Sequence, residues 1–236
     1  PPIEGGALEP LVAMAGLESL WCNPSDGAMA VIATMPRLRK LMFQDAPASD
    51  EGWAALGWSR SIESIWARQS PGLRGRGLRG MAGMPALRRL AVDLARVPAP
   101  DLAVLPDFAA LRDLTPIGLG DDEFRHVGAC TRLETLTCMY TRDIGDEATM
   151  HIASLDRLTK YYAGDTSITD RSLAVLSALP SLESVELWNC PAVTNGGLAA
   201  LARSASLREV IVEALPRVTR DIMPLFPPRV RVTIKS

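Results

Sequence analysis

The sequence holds 236 residues, 47% of them apolar, with 25 basic against 27 acidic side chains for a net charge of -2. That is enough chain to bury a core in one domain or a repeat array, and too much order-forming residue for a disordered protein; near-neutrality argues against a dedicated nucleic-acid binder. No apolar run approaches the roughly 18 residues that span a bilayer, and no charged segment leading into an apolar one opens the chain, so it reads as soluble.

From the N-terminus, nine units open at Ile3, Pro24, Ala48, Leu73, Val97, Leu119, Ile144, Ile168 and Val193, a mean spacing of about 24 residues. Eight residues after each opening come Leu11, Ile32, Leu56, Met81, Leu105, Val127, Ile152, Leu176 and Leu201. Fourteen after it come the anchors Leu17, Leu38, Ile62, Leu87, Leu111, Leu133, Leu158, Leu182 and Leu207. Both columns are apolar throughout, as are the positions three beyond the anchors. At 47% apolar, one such column arises by chance about once in a thousand, so three fix the register. A tenth, shortened unit over 215–236 carries Val218, Met223 and Phe226, then a last strand from Val230 to Ile234.

Each unit has two halves. Apolar residues at +5, +8 and +11 from the opening, as in Ile168, Leu173, Leu176 and Leu179, predict a short helix with one face inward. Asp26, Asp50, Asp121, Asp146, Asp170 and Asn195 share one position, where a side-chain oxygen accepts from the first unpaired helix amides. Pro36, Pro85 and Pro180 stop the helix, and the anchor stretch then alternates with period 2 as a strand. One strand and one helix per unit cannot bury their own face but stacked neighbours can, which predicts an α/β solenoid with a parallel sheet inside and helices outside. Residues 93–120, with four prolines and no Thr-Asp signature, predict irregular strand pairing at Pro116.

The form LxxLxLxxTxIT[DN]xxLxxLxxLPxL over 158–182 resembles a bacterial leucine-rich repeat, and 182–190 is similar to the LxxLxLxxC form of cysteine-containing repeats in F-box substrate receptors. The resemblance spans almost the whole chain. It implies a leucine-rich repeat horseshoe of about ten repeats, read as a single domain over 1–236, with a parallel sheet on the concave face and helices on the convex face. The concave sheet of the family binds another macromolecule, usually a protein. No F-box sequence precedes the repeats, so a ubiquitin-ligase role is not carried over.

Alternation decides which side chains face that partner. With anchor+3 and +5 inward, the +4 and +6 columns face out, and they hold Trp21, Met42, Trp66 and Arg68 in one stretch and Met139, Tyr162, Trp188 and Ile211 in another. Neighbouring strands lie about 4.8 Å apart, so Trp21, Met42 and Trp66 are expected to form one apolar strip and the second group another. The alternative is that they are isolated surface residues or lie under a flanking element. Trp53, at helix position +5, is expected in the core.

Sharper motifs are better explained by the repeat. Gly75, Gly77 and Gly80 match GxGxxG, but Leu78 between them is a core position and no acidic residue follows at the distance a dinucleotide site needs. Arg74, Arg76 and Arg79 offer an anionic partner a basic patch, although a solvated helix face is the default. His126 and His151 occupy equivalent places in adjacent units without a third ligand, Cys190 has no base in its unit, and Asp121, Asp122 and Glu123 read as helix-start chemistry. No catalytic, metal or cofactor residues are assigned.

Cys22, Cys130, Cys138 and Cys190 form no CxxC pair, and three fall at interior positions, which points to reduced thiols and a reducing, cytoplasmic compartment. The expected function is a protein-interaction module binding a protein or peptide on its concave sheet. The alternatives are a scaffold or terminal segment of a larger protein, consistent with a start at Pro1 rather than Met, and an enzyme or nucleotide-binding protein built on repeats.

Overall fold

A computed structural model describes residues 2–139, 141 and 144–235. The chain forms two compact units, Pro1–Ile117 and Gly118–Ser236. The first runs α1 (Gly5–Val12), β1 (Ser19–Trp21), α2 (Asp26–Ala33), β2 (Lys40–Asp45), α3 (Asp50–Leu56), β3 (Ser64–Gln69), α4 (Gly75–Ala82), β4 (Arg89–Asp93), a 3-10 helix at Ala99–Asp107 and β5 (Asp113–Ile117). Its strands pair in sequence order and all in parallel, because each crossover returns the chain in the same sense. The second runs α5 (Phe124–Gly128), β6 (Thr135–Cys138), α6 (Asp146–His151), β7 (Lys160–Gly164), α7 (Asp170–Ser177), β8 (Ser184–Trp188), α8 (Asn195–Leu201), β9 (Glu209–Glu213), a 3-10 helix at Arg220–Leu225 and β10 (Arg231–Lys235). Its strands are likewise sequential and parallel. This is the α/β repeat architecture that the apolar columns predict.

Burial follows those columns. Every anchor from Leu38 to Leu207 is at most 2% exposed, and the residues three further on, from Leu41 to Val210, are equally buried. At the first unit the columns loosen: Leu17 and Leu20 are half-buried and Met14 is 53% exposed. Trp53 is fully buried and meets Phe43 edge-on, with ring centroids 5.7 Å apart. The glycines of α4 have a packing reason. A Cβ on Gly77 would lie 2.5 Å from the Cβ of Trp53, and one on Gly80 2.8 Å from the Cα of Ala54, so α4 rests closely on α3.

Three expectations need correction. First, the acidic residues at the helix starts do not cap their own helices. Ser25, Thr169 and Thr194, one residue earlier, do that by accepting from Ala28, Arg171 and Gly196. Asp26 instead accepts from Ser49 N at 2.6 Å, Asp50 from Arg74 N and Gly77 N at 2.7 Å, Asp121 from Gly145 N at 2.7 Å, Asp146 from Thr169 N at 2.9 Å and Asp170 from Thr194 N at 2.8 Å. Parallel stacking brings the unpaired amides of the next helix alongside, so each side chain satisfies the following repeat and ties two repeats together.

Second, β5 pairs regularly with β4, with Val92 opposite Pro116 and Asp93 opposite Ile117. The bond beyond that end runs from Leu94 N to the Ile117 carbonyl, which needs no donor from Pro116. The prolines act on the other half of the repeat, where Pro98, Pro100 and Pro106 leave a 3-10 helix in place of an α-helix. Third, Met223 is 41% exposed and Ile222 is the buried residue of the last 3-10 helix, because the turn at Arg220–Leu225 rotates the inward face by one position.

Candidate functional site

The outward face of the strands in each unit is set by the same alternation that fills the core. In the first unit, Trp21 stands opposite Met42, and Met42 opposite Trp66. The three form an unbroken row across β1, β2 and β3, exposed by 67%, 37% and 39%. They point outward because Leu41, Phe43, Ile65 and Ala67, alternating with them, are fully buried on the other side. At the next position, in β4, the row ends at Ala91, which is buried, only 5% exposed. Cationic side chains flank it: exposed Lys40 precedes Met42 and exposed Arg68 follows Trp66, each by two residues. Arg39 and Arg89, also at this side, are held by Glu63 at 2.6 Å and Asp113 at 2.8 Å.

In the second unit the four expected residues fall on two rows. Tyr162 and Ile211 share one row with Glu186 between them, paired to both. Trp188 stands opposite Gly164 on the other row, and half-buried Met139 follows β6. A Cβ on Gly164 would lie 3.0 Å from the Tyr162 hydroxyl and 3.3 Å from the Trp188 ring, so the two aromatic side chains converge over that glycine. Ile211 is therefore separated from Tyr162 by a carboxylate, and this group is a mixed patch and not the continuous apolar strip expected.

The remaining candidates are engaged in structure. Arg74 donates to the carbonyls of Pro71 and Leu73 at 2.8 Å, Arg76 pairs with Glu51 at 3.1 Å and Arg79 with Asp101 at 2.5 Å. His151 is exposed and His126 is half-buried with its Nε2 buried. Burial, then the nearby Arg125, lowers the His126 pKa. Among the described residues, no group of three or more His, Cys, Asp or Glu side chains is placed to hold a metal ion.

All four cysteines are buried free thiols. Burial pushes Cys22 up to about 11 and Cys130 and Cys138 up to about 12, and also raises Cys190. The Cys190 thiol lies 3.3 Å from the Thr166 hydroxyl and 3.4 Å from the Trp188 carbonyl, where it braces the turn after β8. Thiols so poised are poor nucleophiles at neutral pH.

Trp58 was given no role by the repeat pattern. It is 74% exposed in the turn after α3, outside the strand columns that flagged the other tryptophans. Glu186 was also passed over, since a charge in an outward column looks like ordinary surface.

No family model matches the sequence, and no curated protein matches it. Solved structures do. Internalin C2 from Listeria monocytogenes is similar at 18% identity and TM-score 0.54, over 83% of this chain and 80% of that one. An internalin (inlF) from the same organism is similar at 14% identity and TM-score 0.51, over 86% of this chain and 69% of that one. TLR13, solved in complex with ssRNA13, is similar at 15% identity and TM-score 0.60 over 99% of this chain, which spans 34% of that one. No helix among the described residues is long and apolar enough to cross a membrane. The parallel strands, the helix in each return and these likenesses together show that the chain has the leucine-rich repeat fold.

Proposed function

We propose that this chain is a recognition module, and not an enzyme, that binds a protein or peptide on the outward face of its sheet. The observation that carries this reading is the row Trp21, Met42 and Trp66, three large apolar side chains in register across adjacent strands and held out of the core. Aromatic residues are 5% of the sequence, and rigid exposed aromatics in a cluster are the side chains that most often anchor an interface. Tyr162 and Trp188 supply a second contact region. The charged groups around these rows are spread along the strands and several are spent in ion pairs, an arrangement suited to a broad contact surface more than to acid-base chemistry. The four free, buried thiols support residence in a reducing compartment.

The test is capture of partners from native lysate with the intact chain, beside a Trp21→Ala/Trp66→Ala variant and a Trp58→Ala control. Loss of the captured protein with the sheet variant alone supports the reading, and capture indifferent to the sheet variant contradicts it. An anionic partner is the competing occupant, favoured by Lys40 and Arg68 beside the row. Nuclease treatment and a steep fall in capture with salt would identify it.

A further inference from the structure

Between β9 and β10, outward-facing charges are matched: Glu209 pairs with Arg231 at 2.8 Å and Glu213 with Lys235 at 3.3 Å. Glu186 breaks that pattern. It stands in register between Tyr162 on β7 and Ile211 on β9, with Trp188 two residues along its own strand on the same face, and makes no ion pair among the described residues. Glu186 is half-buried in this ring of apolar side chains, and Trp188 remains 38% exposed. Gly164 completes the arrangement, since any side chain there would occupy the space into which Tyr162 and Trp188 lean.

We propose that Tyr162, Glu186 and Trp188 form a subsite for a lysine or arginine side chain of the partner. The inference rests on the recognition reading above and narrows it to a partner segment of basic character. A carboxylate with two aromatic side chains at neighbouring positions can attract a cation twice, through the charge and through the ring quadrupoles, while the alkyl stem of a lysine or arginine finds apolar contact at Ile211. A neutral or acidic side chain gains none of the charge terms. Charge complementarity also separates this patch from the Trp21 row, whose neighbours Lys40 and Arg68 are cationic.

The experiment is fluorine NMR of the intact chain carrying fluorinated tryptophan, with the Trp188 signal assigned by Trp188→Phe. The probes are three acetylated, amidated tripeptides with arginine, glutamine or glutamate between glycines. The arginine peptide is expected to shift the Trp188 signal in the millimolar range, with the Trp21 signal unmoved and the glutamine and glutamate peptides silent. Glu186→Gln, which preserves shape, should weaken the arginine peptide about fivefold or more, as for loss of one ion pair. Lys160→Gln removes the exposed cation on β7 two residues before Tyr162 and should leave arginine binding unchanged or tighter. Equal response to the neutral peptide, no response to arginine, or weaker arginine binding in Lys160→Gln overturns the subsite. Such a failure with partner capture still dependent on Trp21 and Trp66 removes this inference alone; loss of both removes the recognition reading as well.

Discussion

The two units, Pro1–Ile117 and Gly118–Ser236, are built on one repeat and differ where the repeat leaves freedom. Their inward columns are alike: leucine, isoleucine and valine recur at the same steps and are buried in both. Their strand ends are not. In the first unit β2 and β3 run extended to Asp45 and Gln69, whereas in the second Asp165, Asn189 and Ala214, at the equivalent step after their strands, adopt left-handed backbone with φ of 55°, 47° and 54°. The polar ladder differs too. It lapses in the first unit at Gly75, which replaces the acidic residue, and in the second it runs unbroken from Asp121 through Asp146 and Asp170 to Asn195, which accepts from Thr219 N at 3.0 Å. The outward rows diverge most, one apolar and flanked by cations, the other divided by a carboxylate. The inward positions, alike in both units, specify the fold, and the outward positions are where the two units differ.

The strongest way to break this comparison is to exchange the roles of inward and outward tryptophans. Trp53→Ala should destabilise the protein by about 3 to 5 kcal/mol, because it opens a cavity beneath Phe43. Trp21→Ala and Trp66→Ala leave no cavity and should keep the melting temperature near that of the parent, which thermal unfolding checks. Each should instead weaken partner binding about thirtyfold, the loss expected for an interface anchor worth about 2 kcal/mol.

The ladder comes next. Asp146 accepts from the amides and hydroxyls of both Thr169 and Ser172, so Asp146→Ala should cost about 2 kcal/mol in denaturant unfolding, whereas an exposed carboxylate such as Asp156 should cost little. Burial alone would raise the Asp146 pKa, but the hydrogen bonds from Ser172 and Thr169 outweigh it and hold the carboxyl below its ordinary range. A depressed folded-state pKa means that the stabilisation is complete above the unfolded value and is lost as pH falls through the folded one. Asp146→Asn should therefore differ most from the parent at neutral pH and converge with it in acid.

The smallest effect concerns the strand ends. Ala214 carries a Cβ in left-handed backbone, where asparagine and aspartate are tolerated and glycine is free. Ala214→Gly should raise stability by about 0.5 to 1 kcal/mol despite the greater entropy of glycine in the unfolded chain. The reverse change at Gly118, φ 78°, should lower stability by a similar amount.

Sequence periodicity made the core legible because burial demands apolar residues at fixed steps, and Leu38 or Val185 could hardly be read otherwise. The ladder was only half legible. An acidic residue at a helix start looks the same whether it accepts from its own helix or from the next, and only stacking geometry separates Asp146 capping itself from Asp146 reaching Thr169. Pro116 misled for a related reason: a parallel strand shares its donors alternately between its neighbours, so a missing N–H spares the side facing β4. Glu186 was illegible because its meaning lies in which neighbours are paired and which are not.

Oxidative footprinting of the intact chain with and without its captured partner tests the central claim most directly, since exposed tryptophan and methionine are the reporters. Protection is expected at Trp21, Met42 and Trp66, with Trp58 and Met223 modified to the same extent in both samples. Protection centred on Trp58 and Met223, with the row across β1, β2 and β3 still fully reactive, would contradict the assignment of the outward sheet face as the recognition surface.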